Sequence, residues 1–157
     1  MSKMTRIAAR FCAMILLFAA LASAMNAEAA RSSNSTGAVR SDLAALVIAD
    51  VNRERSKQGL AALRVDAELN RAAMVRAREL TRLFSHTRPD GSSWSTVSAS
   101  VYAENIARGQ RTAYRVMAAW LSSAGHRGNI LKPGYGSIGV CAYIDGGITY
   151  WVQLFGK

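Results

Sequence analysis

Two stretches near the C-terminal end limit the fold of this chain most tightly. YGSIGVCAYI (135–144) and ITYWVQLF (148–155) both alternate in polarity, and only Asp-Gly-Gly separates them. Alternation with a period of two marks strands with two distinct faces, and a glycine-rich break of this length marks a hairpin. The rest of the pattern is helical. A first helix is expected from about Asp42 to Gln58, with Leu43, Leu46, Val47 and Val51 at helical spacing, Ser41 or Asp42 as cap and Gly59 as stop. After a connector, LAALRVD (60–66), Asp66 caps a second helix that stacks Leu69, Ala73, Ala77 and Leu80 on one face. Arg71, Arg76, Arg78 and Arg82 are expected mostly to face elsewhere, and this helix to end near Phe84. A third helix starts near Thr112 and carries Ala113, Val116, Met117, Trp120 and Leu121 on one stripe. Helices first and strands last, in one small unit, specify an α+β layer arrangement.

The first thirty residues read as an export signal instead of part of that fold. Lys3, Arg6 and Arg10 precede the apolar run FCAMILLFAALA (11–22), and small-residue cleavage options follow at 22–24 and 27–29. The run is shorter than the roughly twenty residues that span a bilayer, although an uncleaved anchor is the alternative reading. Residues 1–29 are therefore expected to be a signal peptide, 30–41 a flexible leader and 42–157 the folded domain. Cleavage leaves Cys141 as the one cysteine, so no internal disulfide holds the exported chain. Cys141 lies in an apolar alternating run and reads as a small buried hydrophobe.

The charge is +10, supplied mainly by arginine. An exported basic chain is attracted to anionic envelope surfaces or acidic polysaccharide. Nucleic acid is not expected as a partner, because the arginines are not interleaved with aromatics on a strand and export removes that partner. A solvated surface accounts for the same charge more simply.

The two histidines, His86 in FSHTRPDG (84–91) and His126 in SSAGHRGNIL (122–131), each follow a helix-like stretch. Most acids have plain roles: Asp42 and Asp66 as caps, Glu54, Glu68 and Glu79 on exposed helix faces, Asp90 and Asp145 in turns. Glu104, in YAENIA, sits between apolar neighbours, where a carboxylate needs a cation, a donor or a metal. By chemistry His86, Glu104 and His126 suit a catalytic zinc site with an open position, or a metal-free acid–base cluster. Their wide separation is no motif, and spacing alone favours two turn histidines and a carboxylate satisfied by backbone donors. No Ser-His-Asp or Cys-His grouping is supported; Ser85, Ser122 and Ser123 read as turn or helix-end residues.

Taken together, VNRERSKQGLAALRVDAELNRAAMVRA, FSHTRPDG, YAENIARG, AAWLSSAGHRGNIL and YGSIGVCAYIDGGITYWVQLFG resemble the CAP superfamily. That superfamily includes cysteine-rich secretory proteins, antigen 5 and plant pathogenesis-related proteins, and the chain is most similar to its short bacterial branch with an SCP domain. The resemblance runs from about Asp42 to Gly156. It implies a three-layer α-β-α sandwich around a central antiparallel sheet, and a cleft with a His, Glu, Glu, His tetrad that holds a divalent metal in some members. Carried across, His86, Glu104 and His126 match three of the four, while Ser123 stands where the second glutamate belongs. Asn105 is expected to bond to backbone near the cleft and Asn129 to be a turn residue. The function classes this leaves are three. One is an exported module, periplasmic or extracellular, that binds a small lipid, glycan or peptide. The others are a zinc-assisted peptidase using His86, Glu104 and His126, and a surface protein whose cleft is a relic.

Overall fold

The computed structural model describes residues 37–157. The expected signal peptide and most of the expected leader lie outside the described residues. The elements in order are β1 (Ala38–Val39), α1 (Ser41–Lys57), β2 (Arg64–Val65), α2 (Ala67–Glu79), a 3-10 turn (Trp94–Val97), β3 (Ala103–Arg108), α3 (Ala113–Ser122), α4 (Ala124–Ile130), β4 (Ser137–Asp145) and β5 (Ile148–Gly156).

The expected hairpin forms the spine. β4 and β5 pair antiparallel from Ser137↔Gly156 to Asp145↔Ile148, closing on Gly146 and Gly147. Both glycines have positive φ, 55° and 76°, the pair of left-handed conformations that a two-residue turn needs to match strand twist. β3 pairs antiparallel with β5, with Glu104 opposite Leu154, so β3 is an outer strand. Three short pieces share the other edge of β4. β2 runs parallel to it at Ser137 and Ile138, the side-chain oxygen of Asn70 accepts from Val140 N, and β1 pairs antiparallel at Tyr143 and Ile144. The connector at 60–66 and the end of the expected leader thus both hold short strands.

Helices cover both faces, as the α-β-α sandwich requires. Along β4 and β5, Ile138, Val140, Ala142, Trp151 and Phe155 point to one face and pack with Val47 and Val51 of α1, with Val116, Met117 and Trp120 of α3, and with Ile130 of α4. The alternate residues Cys141, Tyr150, Val152 and Leu154 meet Leu69, Ala73, Ala77 and Leu80 on the opposite face. α2 lies close: a Cβ on Gly139 would stand 2.2 Å from the carbonyl carbon of Leu69, so this strand position must lack a side chain. Asp66 caps α2 as expected, accepting from Leu69 N at 2.9 Å.

Several expectations need correction. α1 begins at Ser41 with Arg40 in the cap position and no side-chain cap, and Leu46 is 55% exposed while Ala44 takes its place in the buried stripe. α2 ends at Glu79, five residues before Phe84, and Glu79 is buried, not on an exposed face. Arg76 is fully buried too, as is Arg55 of α1. α3 does end at Ser122, but His126, expected just past it, and Asn129, expected in a turn, both sit inside a further helix, α4.

Candidate functional site

Residues on β3 alternate between the two layers, and this sets the geometry of the site. Glu104 turns toward the α2 side, where Arg76 waits. The Nε of Arg76 donates to Glu104 Oε2 at 2.7 Å and Nη2 reaches Oε1 at 3.3 Å. Nη1 donates to Glu79 Oε2 at 2.6 Å, and Nη2 also donates to the Ser85 carbonyl at 2.8 Å. Arg88 closes the far end, with Nη2 to Glu79 Oε1 at 2.6 Å. At the near end His86 Nδ1 meets Glu104 Oε1 at 2.8 Å. The result is one continuous chain of charges, Arg88–Glu79–Arg76–Glu104–His86, that starts and ends at the surface. Its two central side chains, Arg76 and Glu104, are wholly buried, while the His86 side chain is 53% exposed.

Each carboxylate in this chain has a cation, which is what burial demands. Burial works against the Arg76 charge, but the hydrogen bonds it donates to Glu104 and Glu79 outweigh it and raise its pKa. Burial also works against a charged Glu79, yet Arg88 and Arg76 hold that carboxyl below its ordinary range. With the carboxylate as acceptor, the His86 proton belongs on Nδ1. Nε2 is then the ring nitrogen His86 turns away from Glu104.

The other face of β3 carries Asn105, which anchors α4. Asn105 Nδ2 donates to the His126 carbonyl at 3.1 Å and to Gln153 Oε1 at 3.0 Å. Asn129 Nδ2 donates to Asn105 Oδ1 at 2.9 Å. Asn105 therefore does bond to backbone beside the cleft, and Asn129 does the same work from within the helix. Arg55 holds the other end of α4: its guanidinium donates to the carbonyls of Ala61, Ile130 and Lys132 at 2.8–2.9 Å. A cation on the last carbonyls of a helix is favoured by the helix dipole. Among the described residues no carboxylate pairs with it, and burial lowers the Arg55 pKa.

His126, placed by this scaffold, is half-buried. Burial first, and the neighbouring His86 second, hold its pKa below the usual 6.5, so its imidazole is neutral at neutral pH. It lines a groove of about 300 Å³ that straddles the outer edge of β3. Phe84, Ile106 and Arg108 come from one layer and Trp120, Ser123 and His126 from the other, with Gln110 at the end.

Of the residues expected to form a site, His86 and Glu104 are in direct contact, and His126 lies within electrostatic reach of His86. The donor set does not fit a three-ligand metal centre. Both Glu104 oxygens are taken by Arg76 and His86, and among the described residues no three His, Cys, Asp or Glu groups are gathered to hold an ion. Cys141 is buried, as expected, and burial pushes its thiol up to about 11, far from a reactive thiolate. Arg76, Glu79 and Arg88 are additions that the sequence reading does not reach. Arg76 nevertheless carries a signal, since it falls on the same helical stripe as Leu69, Ala73 and Leu80.

Comparison with known proteins agrees with this architecture. The chain is 35% identical over 139 residues to the uncharacterized protein YkwD of Bacillus subtilis strain 168, an alignment that covers 82% of this chain. It covers 54% of that relative, so the chain spans about half the length of the curated relative it matches. An outer surface protein from Borrelia burgdorferi superimposes with a TM-score of 0.68 at 25% identity, covering 78% of this chain and 98% of that one. An extracellular protein containing an SCP domain, from Bacillus anthracis strain Ames, gives a TM-score of 0.68 at 22% identity, over 74% of this chain and 41% of that one. Residues 48–155 match the family described as CAP, the cysteine-rich secretory protein family, and the chain belongs to it.

Proposed function

We propose that the protein is an exported binding module whose groove beside His86, Glu104 and His126 holds a small polar ligand of the cell envelope. One observation carries this reading above hydrolysis. Glu104, the carboxylate a metal or an activated water would need, spends both oxygens on Arg76 and His86 and is closed to solvent. Its role is to fix the imidazole of His86, not to react. What remains open is a groove with a neutral imidazole, a hydroxyl, an amide and a guanidinium, which are recognition groups. Export is supported by the positively charged and then apolar start of the sequence, and by relatives described as an outer surface protein and an extracellular protein.

Titration of isotope-labelled protein with the small-molecule fraction of bacterial envelopes tests the reading by NMR. Amide shifts gathered at residues 84–88, 104–110 and 123–127, and lost in His126→Ala, are the expected result. Stoichiometric zinc, together with peptide cleavage that a chelator abolishes, would refute it in favour of the peptidase.

A further inference from the structure

Between Glu104 and Asp145 the chain has no acidic residue, while it carries Arg108, Arg111, Arg115, Arg127 and Lys132. All five are exposed, and none forms an ion pair among the described residues. The acids of α1 and α2, by contrast, are largely neutralised locally, by Arg53, Lys57, Arg76 and Arg88. Arg64, Arg71, Arg78, Arg82 and Lys157 are unpaired as well. The four arginines share their stretches of chain with acids and Lys157 is a single cation, whereas the segment that builds the groove, the end of β3, α3 and α4, holds cations alone. At the groove itself the Arg108 guanidinium lies 4.8 Å over the Phe84 ring, which positions it without neutralising it.

A second, independent feature is Gln110. Its Oε1 is buried with no hydrogen-bond donor, the one such side-chain atom among the described residues. A buried acceptor left alone is costly, and a native structure ordinarily supplies it with a donor. Gln110 itself lines the same groove as Arg108. The site thus offers a fixed cation for an oxyanion, an orphan acceptor for a hydroxyl proton and, in Ser123, a further hydroxyl. The groove volume of about 300 Å³ is at the small end of ligand pockets, which suits one ring better than an acyl chain.

We propose that the groove takes an acidic sugar residue, its oxyanion on Arg108 and a ring hydroxyl on Gln110, whose side chain turns its unpartnered oxygen outward to accept it, as the recognition unit of an acidic polysaccharide. The remaining exposed cations of the segment add to the field that attracts such a chain. A carboxylate on the ring and a phosphate on the ring present the same oxyanion. This proposal rests on the binding reading above and gives it a ligand class.

Calorimetric titration of the protein at 0.15 M salt with trigalacturonate, glucose 6-phosphate, maltotriose and polyacrylate tests it. Binding of trigalacturonate or of glucose 6-phosphate, and not of maltotriose, is expected, and which one binds names the source of the oxyanion. Arg108→Gln should weaken that binding by about tenfold, the loss of one charge-assisted hydrogen bond. Gln110→Leu should weaken it several-fold with the fold intact by circular dichroism. Polyacrylate binding as tightly as trigalacturonate, or an Arg108→Gln protein that binds unchanged, overturns the proposal. If no acidic sugar binds while another envelope component still shifts the groove amides, the acidic-sugar assignment fails and the binding module stands. Zinc-dependent peptide cleavage removes both.

Discussion

Replacing Arg76 by methionine is the most direct probe of the buried charge chain. Methionine keeps the apolar stem of the side chain but removes a guanidinium that makes four hydrogen bonds, to Glu104, Glu79 and the Ser85 carbonyl. Glu104, with a wholly buried side chain, then keeps only the His86 contact. Removing one partner of a buried pair costs about 3–5 kcal/mol, because the other charge is left uncompensated. For a domain of this size that corresponds to a fall in melting temperature of roughly 10–20 °C. Urea denaturation followed by circular dichroism measures the loss directly. A second variant isolates the cause. Arg76→Met combined with Glu104→Gln replaces the stranded carboxylate by a neutral amide and should recover a large part of the loss, because the charge and not the packing was at fault. A cost of under about 1 kcal/mol for Arg76→Met, the range of solvent-exposed pairs, refutes the reasoning. So does a double variant less stable than the single one.

Three further outcomes follow from the same structure. Gly139→Ala forces a Cβ to within 2.2 Å of the α2 backbone at Leu69 and should cost about 3 kcal/mol in urea denaturation, with α2 amides exchanging faster. Arg55→Met leaves the carbonyls of Ala61, Ile130 and Lys132 without their donor and should destabilise by about 3 kcal/mol. Hydrogen exchange should accelerate chiefly at residues 124–135, and Arg55→Lys should restore only part of the protection. The His126 pKa is lowered in the folded state, so its contribution to stability is present above the ordinary value of 6.5 and is lost as pH falls below it, where the unfolded chain takes up a proton that the folded chain resists. Stability of the native protein should therefore drop more steeply than that of His126→Asn on acidification below about pH 6.5; parallel pH profiles would contradict the assignment.

Much of the fold was legible because its signals are local. The alternation in β4 and β5, the Gly146–Gly147 turn and the Asp66 cap are each written within a few residues. The two-residue strands β1 and β2 are not, since no periodicity exists over two residues; they exist because β4 offers an unpaired edge. α4 escapes a sequence reading for a related reason. Gly125 and Gly128 lower its intrinsic helicity, and it is held by Asn105, Asn129 and Arg55 across the fold. The buried arginines are easily misread when charge is allowed to overrule position. Arg55 continues the stripe of Ala44, Val47 and Val51, as Arg76 continues that of Leu69 and Ala73, and both stripes are core. For the site, spacing could not bring His86 to Glu104. Only the resemblance to a known family put them in one cleft, and the cation that satisfies Glu104 came from neither source.

That cation bears on why Ser123 can stand where the family tetrad has its second glutamate. A divalent ion held by two histidines and two glutamates has two negative ligands to balance it. Here one carboxylate is absent from the sequence, and the other already faces a guanidinium at 2.7 Å. An ion approaching Glu104 would meet Arg76 as a like charge and would have to displace it, and Arg76 also neutralises Glu79. Displacement would thus strand a second buried carboxylate, a cost of the same order as the Arg76→Met loss above. A buried guanidinium balances both carboxylates here. Glu104 meanwhile fixes the orientation of the His86 imidazole through Nδ1. On the binding reading proposed above, the outward edge of the His86 ring and the neutral His126 are the groups that hydrogen-bond the ligand.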